Sequence, residues 1–253
     1  NDGIKLLVST VDKLPKQKNE IYLELASAYI ELNKYSSADS ICRESLKQSD
    51  VDSEIIGRAQ NLLGIINLYD KSDLNITLKY FQEAHKTYTT VNNFNRIAGS
   101  EVNLGNIQNI LGNYSRAEKH WNKALQLNRS IGNVDQEANV LLNNGIFYYE
   151  HANYEKAIEF YLKAGSIFKG LGNKHSFGLV NTNLCETYLE ICEFQKALDA
   201  ISVAKEIFTK LNNFGELIEI LLLEVKLYIL VSNYSELNNT IEQIRKYIPL
   251  KSE

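Results

Sequence analysis

The chain has 253 residues, of which 44% are hydrophobic and 23% charged, and its formal net charge is −4. The mild charge and the lack of a basic block argue against non-specific nucleic-acid binding. No apolar run approaches the roughly 18 residues of a membrane span, because Glu219, Glu224 and Lys226 interrupt the longest one.

The first predicted element is a helix over residues 4–14, which has apolar residues at helical spacing and ends at Pro15. No partner helix precedes it, so we interpret residues 1–16 as half of a helix pair. Because the chain begins at Asn1 and contains no methionine, we expect a mature product or a segment of a longer protein.

Residues 97–133 illustrate the element that follows. Apolar residues recur at helical spacing up to Leu111, and the turn Gly112–Ser115 ends the pattern. A second helical stripe then runs from Ala117 to Ile131 and stops at Gly132, where a left-handed backbone is easily adopted. The unit is therefore a first helix, a short turn, a second helix and a glycine stop.

This unit is repeated in tandem with a period of 40 residues. Gly105, Gly145, Cys185 and Val225 keep that spacing, and so do the aromatic residues Tyr114, Tyr154, Phe194 and Tyr234. A fixed period of this size indicates a solenoid, whose extended surface favours binding over catalysis. The pattern predicts a single array of six units after the half unit, over residues 17–50, 53–91, 94–132, 134–172, 174–212 and 214–248.

The repeated residues resemble those of the tetratricopeptide repeat (TPR). The first helix carries a Leu-Gly-x-x-Tyr pattern and the second an Ala-x-x-x-aromatic-x-x-Ala pattern, as in Ala117, Trp121 and Ala124. The resemblance covers residues 17–248, and the long, asparagine-rich repeats are similar to the arrays of Bacteroidetes-like bacterial signalling proteins. It implies an all-α fold, a right-handed α-α superhelix with the first helices lining a concave groove. The aromatic residues Phe81, Trp121 and Tyr161 are then expected to be buried.

Catalytic motifs are missing from the sequence. The four histidines are scattered over different units and form no metal-binding pair, no glycine-rich phosphate loop occurs, and Cys185 occupies a small-residue packing position. The sequence therefore predicts neither an enzyme nor a cofactor site.

One polar series has the repeat period. Asn103, Asn143 and Asn183 each precede the small residue of a first helix by two positions, and an amide side chain can pair with the amide and carbonyl of an extended peptide. Alternatively, these asparagines bond adjacent helices inside the array. The resemblance places further residues on the same groove face, which is more acidic than basic: Asn106, Asn139, Tyr149, Glu150, Glu186, Glu190 and Arg58.

The predicted function is a non-enzymatic scaffold that binds a protein or an extended peptide in this groove. The alternative is the sensory or regulatory region of a larger bacterial signalling protein, such as a histidine kinase, a cyclase or a helix-turn-helix regulator. Because the groove is acidic, a basic clamp for a terminal carboxylate is not expected. The free cysteines favour the cytoplasm, whereas a sensor region of a membrane-anchored protein would lie outside it.

Overall fold

The computed structural model describes residues 18–47, 52–70 and 73–249, and these residues form twelve helices and no strand. The all-α prediction is confirmed, while the helix predicted over residues 4–14 lies outside the described residues. The helices are α1 (Lys18–Glu31), α2 (Tyr35–Leu46), α3 (Ser53–Tyr69), α4 (Leu74–Thr90), α5 (Phe94–Ile110), α6 (Tyr114–Ser130), α7 (Val134–Glu150), α8 (Tyr154–Gly170), α9 (Lys174–Glu190), α10 (Phe194–Lys210), α11 (Phe214–Leu230) and α12 (Tyr234–Tyr247).

The turns between helices show why glycine and asparagine recur at fixed positions of the repeat. Gly112 ends α5 with a φ of +76°, and the next amide, of Asn113, donates to the carbonyl of Gln108 at 2.8 Å. This arrangement satisfies carbonyl groups at the end of the helix. Asparagine then begins the following helix: the Asn93 side chain accepts from the amide of Arg96 at 3.1 Å. Five later helices have the same asparagine cap, at Asn133, Asn153, Asn173, Asn213 and Asn233.

Within a pair, a large aromatic side chain of the second helix fills the space left by glycine in the first. A methyl group added at Gly105 would clash with the Trp121 ring, and one at Gly145 would clash with the Tyr161 ring. Trp121 is 2% exposed, Tyr161 1% and Phe81 2%. The predicted burial of these three rings is confirmed.

The chain divides into two compact units, Asn1–Gly132 and Asn133–Glu253. Unit 1 contains helices α1 to α6 and unit 2 contains α7 to α12, so each holds three described helix pairs. In unit 2, Thr240 is the only buried residue of α12. The single array of six repeats stays a prediction.

None of the described helices combines the length and the apolar character that a membrane crossing needs.

Candidate functional site

The candidate surface of each unit is formed by the first helices of its pairs. In unit 1, the ion pair of Arg58 Nη2 and Glu24 Oε1, at 2.5 Å, joins α3 to α1. In unit 2, the ion pair of Lys226 Nζ and Glu190 Oε1, at 2.8 Å, joins α11 to α9. Successive first helices thus bring polar side chains together on one side, which we call the A-helix face of the unit. Its candidate residues are Glu24, Arg58, Asn61, Asn103 and Asn106 in unit 1, and Asn139, Asn143, Tyr149, Glu150, Asn183, Glu186, Glu190, Glu219 and Lys226 in unit 2.

On the A-helix face of unit 1, polar groups bond to one another. Asn103 Nδ2 donates to Asn61 Oδ1 at 2.7 Å, which links α5 to α3. Asn106 Oδ1 accepts from Trp121 Nε1 at 3.0 Å. Asn103 therefore bonds an adjacent helix, which was the alternative to peptide binding that the sequence left open.

On the A-helix face of unit 2, the asparagines behave differently. Asn143 and Asn183 are half-buried, and their amide groups make no hydrogen bond to any residue that the structure describes. Asn139 bonds within its own helix, since its Nδ2 donates to the Asp135 carbonyl at 3.1 Å. Two of the three asparagines of the repeat series therefore retain both a donor and an acceptor.

The same face carries several carboxylates and a tyrosine. Glu186 is half-buried, and burial raises the pKa of its carboxyl group, with the charges of Glu190 and Glu219 adding to the rise and Lys226 opposing it. Burial raises the pKa of Tyr149 to about 12, and Glu186 and Glu190 contribute. The charges of two carboxylates of α9 thus act on Tyr149 of α7. Glu150, at the end of α7, is exposed.

Sequence reasoning missed two buried carboxylates. In unit 1, Glu101 is 3% exposed, and its Oε2 lies 2.5 Å from His120 Nδ1, with His85 and Lys123 at 3.7 Å from Oε1. Its position holds Leu141 and Leu221 in two other repeats but Asn181 in a third, so the repeat pattern carried no clear signal that this carboxylate is buried.

The second buried carboxylate belongs to Glu224 in unit 2, which takes the place of Leu104 and Leu184. Lys205 Nζ donates to both of its oxygens, at 2.8 and 3.0 Å, and Thr240 Oγ1 donates at 3.2 Å. Both buried carboxylates are paired, so the loss of a partner would leave an uncompensated charge in the interior of the unit.

No group of three or more His, Cys, Asp or Glu side chains is arranged to hold a metal ion within residues 18–47, 52–70 and 73–249. Burial raises the pKa of the Cys42 and Cys185 thiols to about 12, which makes them inert packing residues.

Two sequence profiles described as "Tetratricopeptide repeat" match this chain, over residues 20–50 and 96–170. No curated protein matches the sequence. BtubC (BKLC) from P. vanneervenii is 20% identical with a TM-score of 0.71, over 83% of this chain and 91% of that one. A Signal Transduction ATPase with Numerous Domains protein with a tetratricopeptide repeat sensor, from Pyrococcus horikoshii, is 18% identical with a TM-score of 0.84, over 99% of this chain and 38% of that one.

A third solved structure is the Rap conjugation gene regulator of the plasmid pLS20 in complex with the Phr* peptide. It is 12% identical with a TM-score of 0.66, over 93% of this chain and 66% of that one. At such identities the likeness concerns the fold, and it confirms the predicted class of helical solenoid.

Proposed function

We propose that this chain, which belongs to the tetratricopeptide repeat family, is a non-enzymatic scaffold that binds a protein or an extended peptide on the A-helix face of unit 2. A repeat scaffold offers an extended surface rather than an enclosed pocket, which suits a ligand of several residues. The solved structure of a similar fold with a bound peptide supports this class of ligand.

The observation that carries the proposal is the pair of unbonded amide groups at Asn143 and Asn183. Each is half-buried on a first helix of unit 2. A half-buried amide has lost part of its hydration, so a partner that supplies a donor and an acceptor improves its free energy. An extended peptide presents one amide and one carbonyl per residue and meets this need without any requirement on its sequence.

The test is a double substitution, Asn143→Ala with Asn183→Ala. Twelve-residue peptides are first selected from a phage-displayed random library on the unmodified chain, and their affinities are then measured by fluorescence anisotropy. Two hydrogen bonds at about 0.5–1.5 kcal/mol each predict a loss of about tenfold in affinity.

The matched control is Asn238→Ala with Asn239→Ala, since both asparagines are exposed on α12, a second helix of its pair. This control is expected to bind as tightly as the unmodified chain. Equal binding by the Asn143 and Asn183 variant would refute the proposal.

One observation favours a second candidate, the sensory region of a larger signalling protein. The similar ATPase is described as having a tetratricopeptide repeat sensor, and this chain matches 99% of its own length to 38% of that protein. The sequence of the complete reading frame tests this candidate. A kinase, cyclase or DNA-binding domain in the same reading frame would support it, and a reading frame that encodes only repeats would refute it.

A further inference from the structure

We infer that the A-helix face of unit 2 binds a cationic segment of a protein, and that a lysine or arginine side chain of this segment lies between Glu186, Tyr149 and Tyr161. The inference rests on the proposed function and specifies the chemistry of the partner.

The charge of the face is the first argument. Glu150, Glu186, Glu190 and Glu219 contribute four carboxylates, while Lys226 contributes one ammonium group, which is committed to Glu190 at 2.8 Å. Glu186 makes no ion pair or hydrogen bond with its side chain in the described part of the chain. A half-buried carboxylate without a partner is unfavourable, and a cation from a ligand would remove that cost.

The hydroxyl group of Tyr161 is the second, independent argument. Tyr161 is 1% exposed, and its hydroxyl makes no hydrogen bond to a described residue. That oxygen nevertheless keeps some access to solvent, because it is not among the fully enclosed, unbonded side-chain atoms of the described residues. The Tyr161 ring packs directly against Gly145 of α7, the first helix that also carries Tyr149 and Glu150, and the charges of Glu186 and Glu150 add to the rise that burial causes in the pKa of its hydroxyl.

The repeat itself shows why this hydroxyl lacks a partner. Trp121 has the equivalent position in unit 1, and its Nε1 donates to Asn106, the residue that follows Gly105. The residue that follows Gly145 is Ile146, whose side chain offers no acceptor. Tyr161 therefore presents a buried ring with an unbonded hydroxyl group, on which the charge of the unpaired Glu186 acts.

Tyr149 completes the proposed subsite. Its half-buried ring is close enough to Glu186 and Glu190 for both charges to raise its pKa. An ammonium or guanidinium group can lie over a tyrosine ring while it pairs with a carboxylate, and the two interactions favour the same ligand. An acidic segment would meet mostly like charges here, because Lys226 is already paired with Glu190, and a neutral segment would leave Glu186 unpaired.

The experiment compares three fluorescein-labelled peptides of twelve residues, in which alternating alanine and serine carry lysine, norleucine or glutamate at three positions. Binding to the complete chain is measured by anisotropy at about 50 mM and about 300 mM NaCl, since a charge-based preference weakens with salt. The lysine peptide is expected to bind about tenfold more tightly than the norleucine peptide at low salt.

The diagnostic variant is Glu186→Gln, and Glu155→Gln is its matched control, because Glu155 is exposed on α8, a second helix. Glu186→Gln should abolish the preference for lysine, and Glu155→Gln should retain it. Tyr161→Phe, which keeps the buried ring, should reduce the preference about twofold to fivefold. Far-UV circular dichroism checks that each variant is folded.

The outcomes separate the two proposals. If the norleucine or glutamate peptide binds as tightly as the lysine peptide, or if Glu186→Gln keeps the preference, the cationic partner is refuted while the binding face stands. If none of the three peptides binds at either salt concentration, the binding face is refuted, and the cationic partner with it.

Discussion

The A-helix faces of the two units are built from the same repeat but differ in whether their polar groups are paired. In unit 1, Arg58 pairs with Glu24 and Asn103 donates to Asn61. In unit 2, Asn183 and Glu186 have no such partner among the described residues. Residue type alone therefore does not make a binding surface, because an asparagine at one repeat position is used for packing in one unit and is available in the other.

The interior of the two units differs as well. Glu101 in unit 1 is surrounded by His85, His120 and Lys123. Within the described residues, Lys205 is the single cation that pairs with Glu224 in unit 2, and the hydroxyl of Thr240 adds a hydrogen bond. The buried carboxylate of unit 1 thus has more cationic neighbours than that of unit 2. We therefore expect the loss of one cation to destabilise unit 2 more than unit 1.

The largest effect is expected from the aromatic residues that pack on glycine in both units. Trp121→Ala and Tyr161→Ala should each lower the free energy of unfolding by about 3–5 kcal/mol, because each ring is almost fully buried and its removal leaves a cavity. Urea denaturation followed by far-UV circular dichroism measures the change. Tyr234→Ala is the control, since this ring is 66% exposed and its loss should change stability by no more than about 0.5 kcal/mol. Losses below about 1 kcal/mol for the buried rings would contradict the packing scheme.

A smaller effect distinguishes the two buried carboxylates. Lys205→Ala removes the cation that pairs with Glu224 and should cost about 2–3 kcal/mol, somewhat below the usual range for a broken buried pair because Lys205 is 26% exposed. Lys123→Ala should cost about 0.5 kcal/mol or less, because Lys123 is 62% exposed and lies 3.7 Å from a carboxylate that keeps His120.

Chemical denaturation of both variants at neutral pH gives the two values. Adding Glu224→Gln to Lys205→Ala should recover part of the loss, because it removes the unpaired buried charge. Equal losses of unfolding free energy for Lys205→Ala and Lys123→Ala would contradict the predicted difference between the two buried carboxylates.

The pH dependence should have opposite signs in the two units. In unit 1, burial lowers the pKa of His85, and the hydrogen bond with His120 helps to lower that of Glu101 although burial opposes it. The native unit then binds fewer protons than the unfolded chain, so its stability falls as the pH falls below about 6.5, the usual value for histidine, and again near the carboxyl range. The fluorescence of Trp121, the single tryptophan, follows this unit in urea titrations at about pH 7.5, 5.5 and 4. His85→Gln should reduce the loss between the first two values, and a loss unchanged by this substitution would contradict the assignment.

In unit 2, burial raises the pKa of Glu186, so the native unit binds more protons and its stability decreases as the pH rises through this pKa. Glu186→Gln should therefore stabilise the chain at neutral pH and have no effect well below the carboxyl range. Circular dichroism in urea at about pH 7.5 and about pH 3.5 tests this. A destabilised variant at neutral pH would show that Glu186 has an internal partner.

The repeat period, the all-α class and the burial of Trp121 could be predicted because they depend on side-chain size at fixed spacing. The pairing of the polar groups could not, since it depends on the residue that faces each asparagine from the neighbouring helix. In unit 1, Asn103 of α5 donates to Asn61 of the preceding first helix, α3. In unit 2, Asn183 of α9 has the repeat position of Asn103, but the repeat position of Asn61 in the preceding first helix, α7, is occupied by Leu142, which cannot accept a hydrogen bond with its side chain. The buried position of Glu101 was also missed, because a charged residue in a repeat is expected to face solvent unless its partners are known.

The smallest effect tests whether the residue that faces each asparagine decides its hydrogen bonding. Asn103→Ala should lower the free energy of unfolding by about 1 kcal/mol, because it leaves the side-chain oxygen of Asn61 without its donor. Asn183→Ala should change this free energy by about 0.5 kcal/mol or less. Leu142→Asn gives unit 2 the residue that unit 1 has, and in this background Asn183→Ala should cost about 1 kcal/mol as well. A double-mutant cycle measured by urea denaturation isolates the coupling of positions 142 and 183. The Leu142→Asn variant should also bind the selected peptides less tightly, because Asn183 is then bonded within the protein. If the coupling is absent, the difference between the units does not arise from the facing residue, and the free amide of Asn183 needs another physical cause.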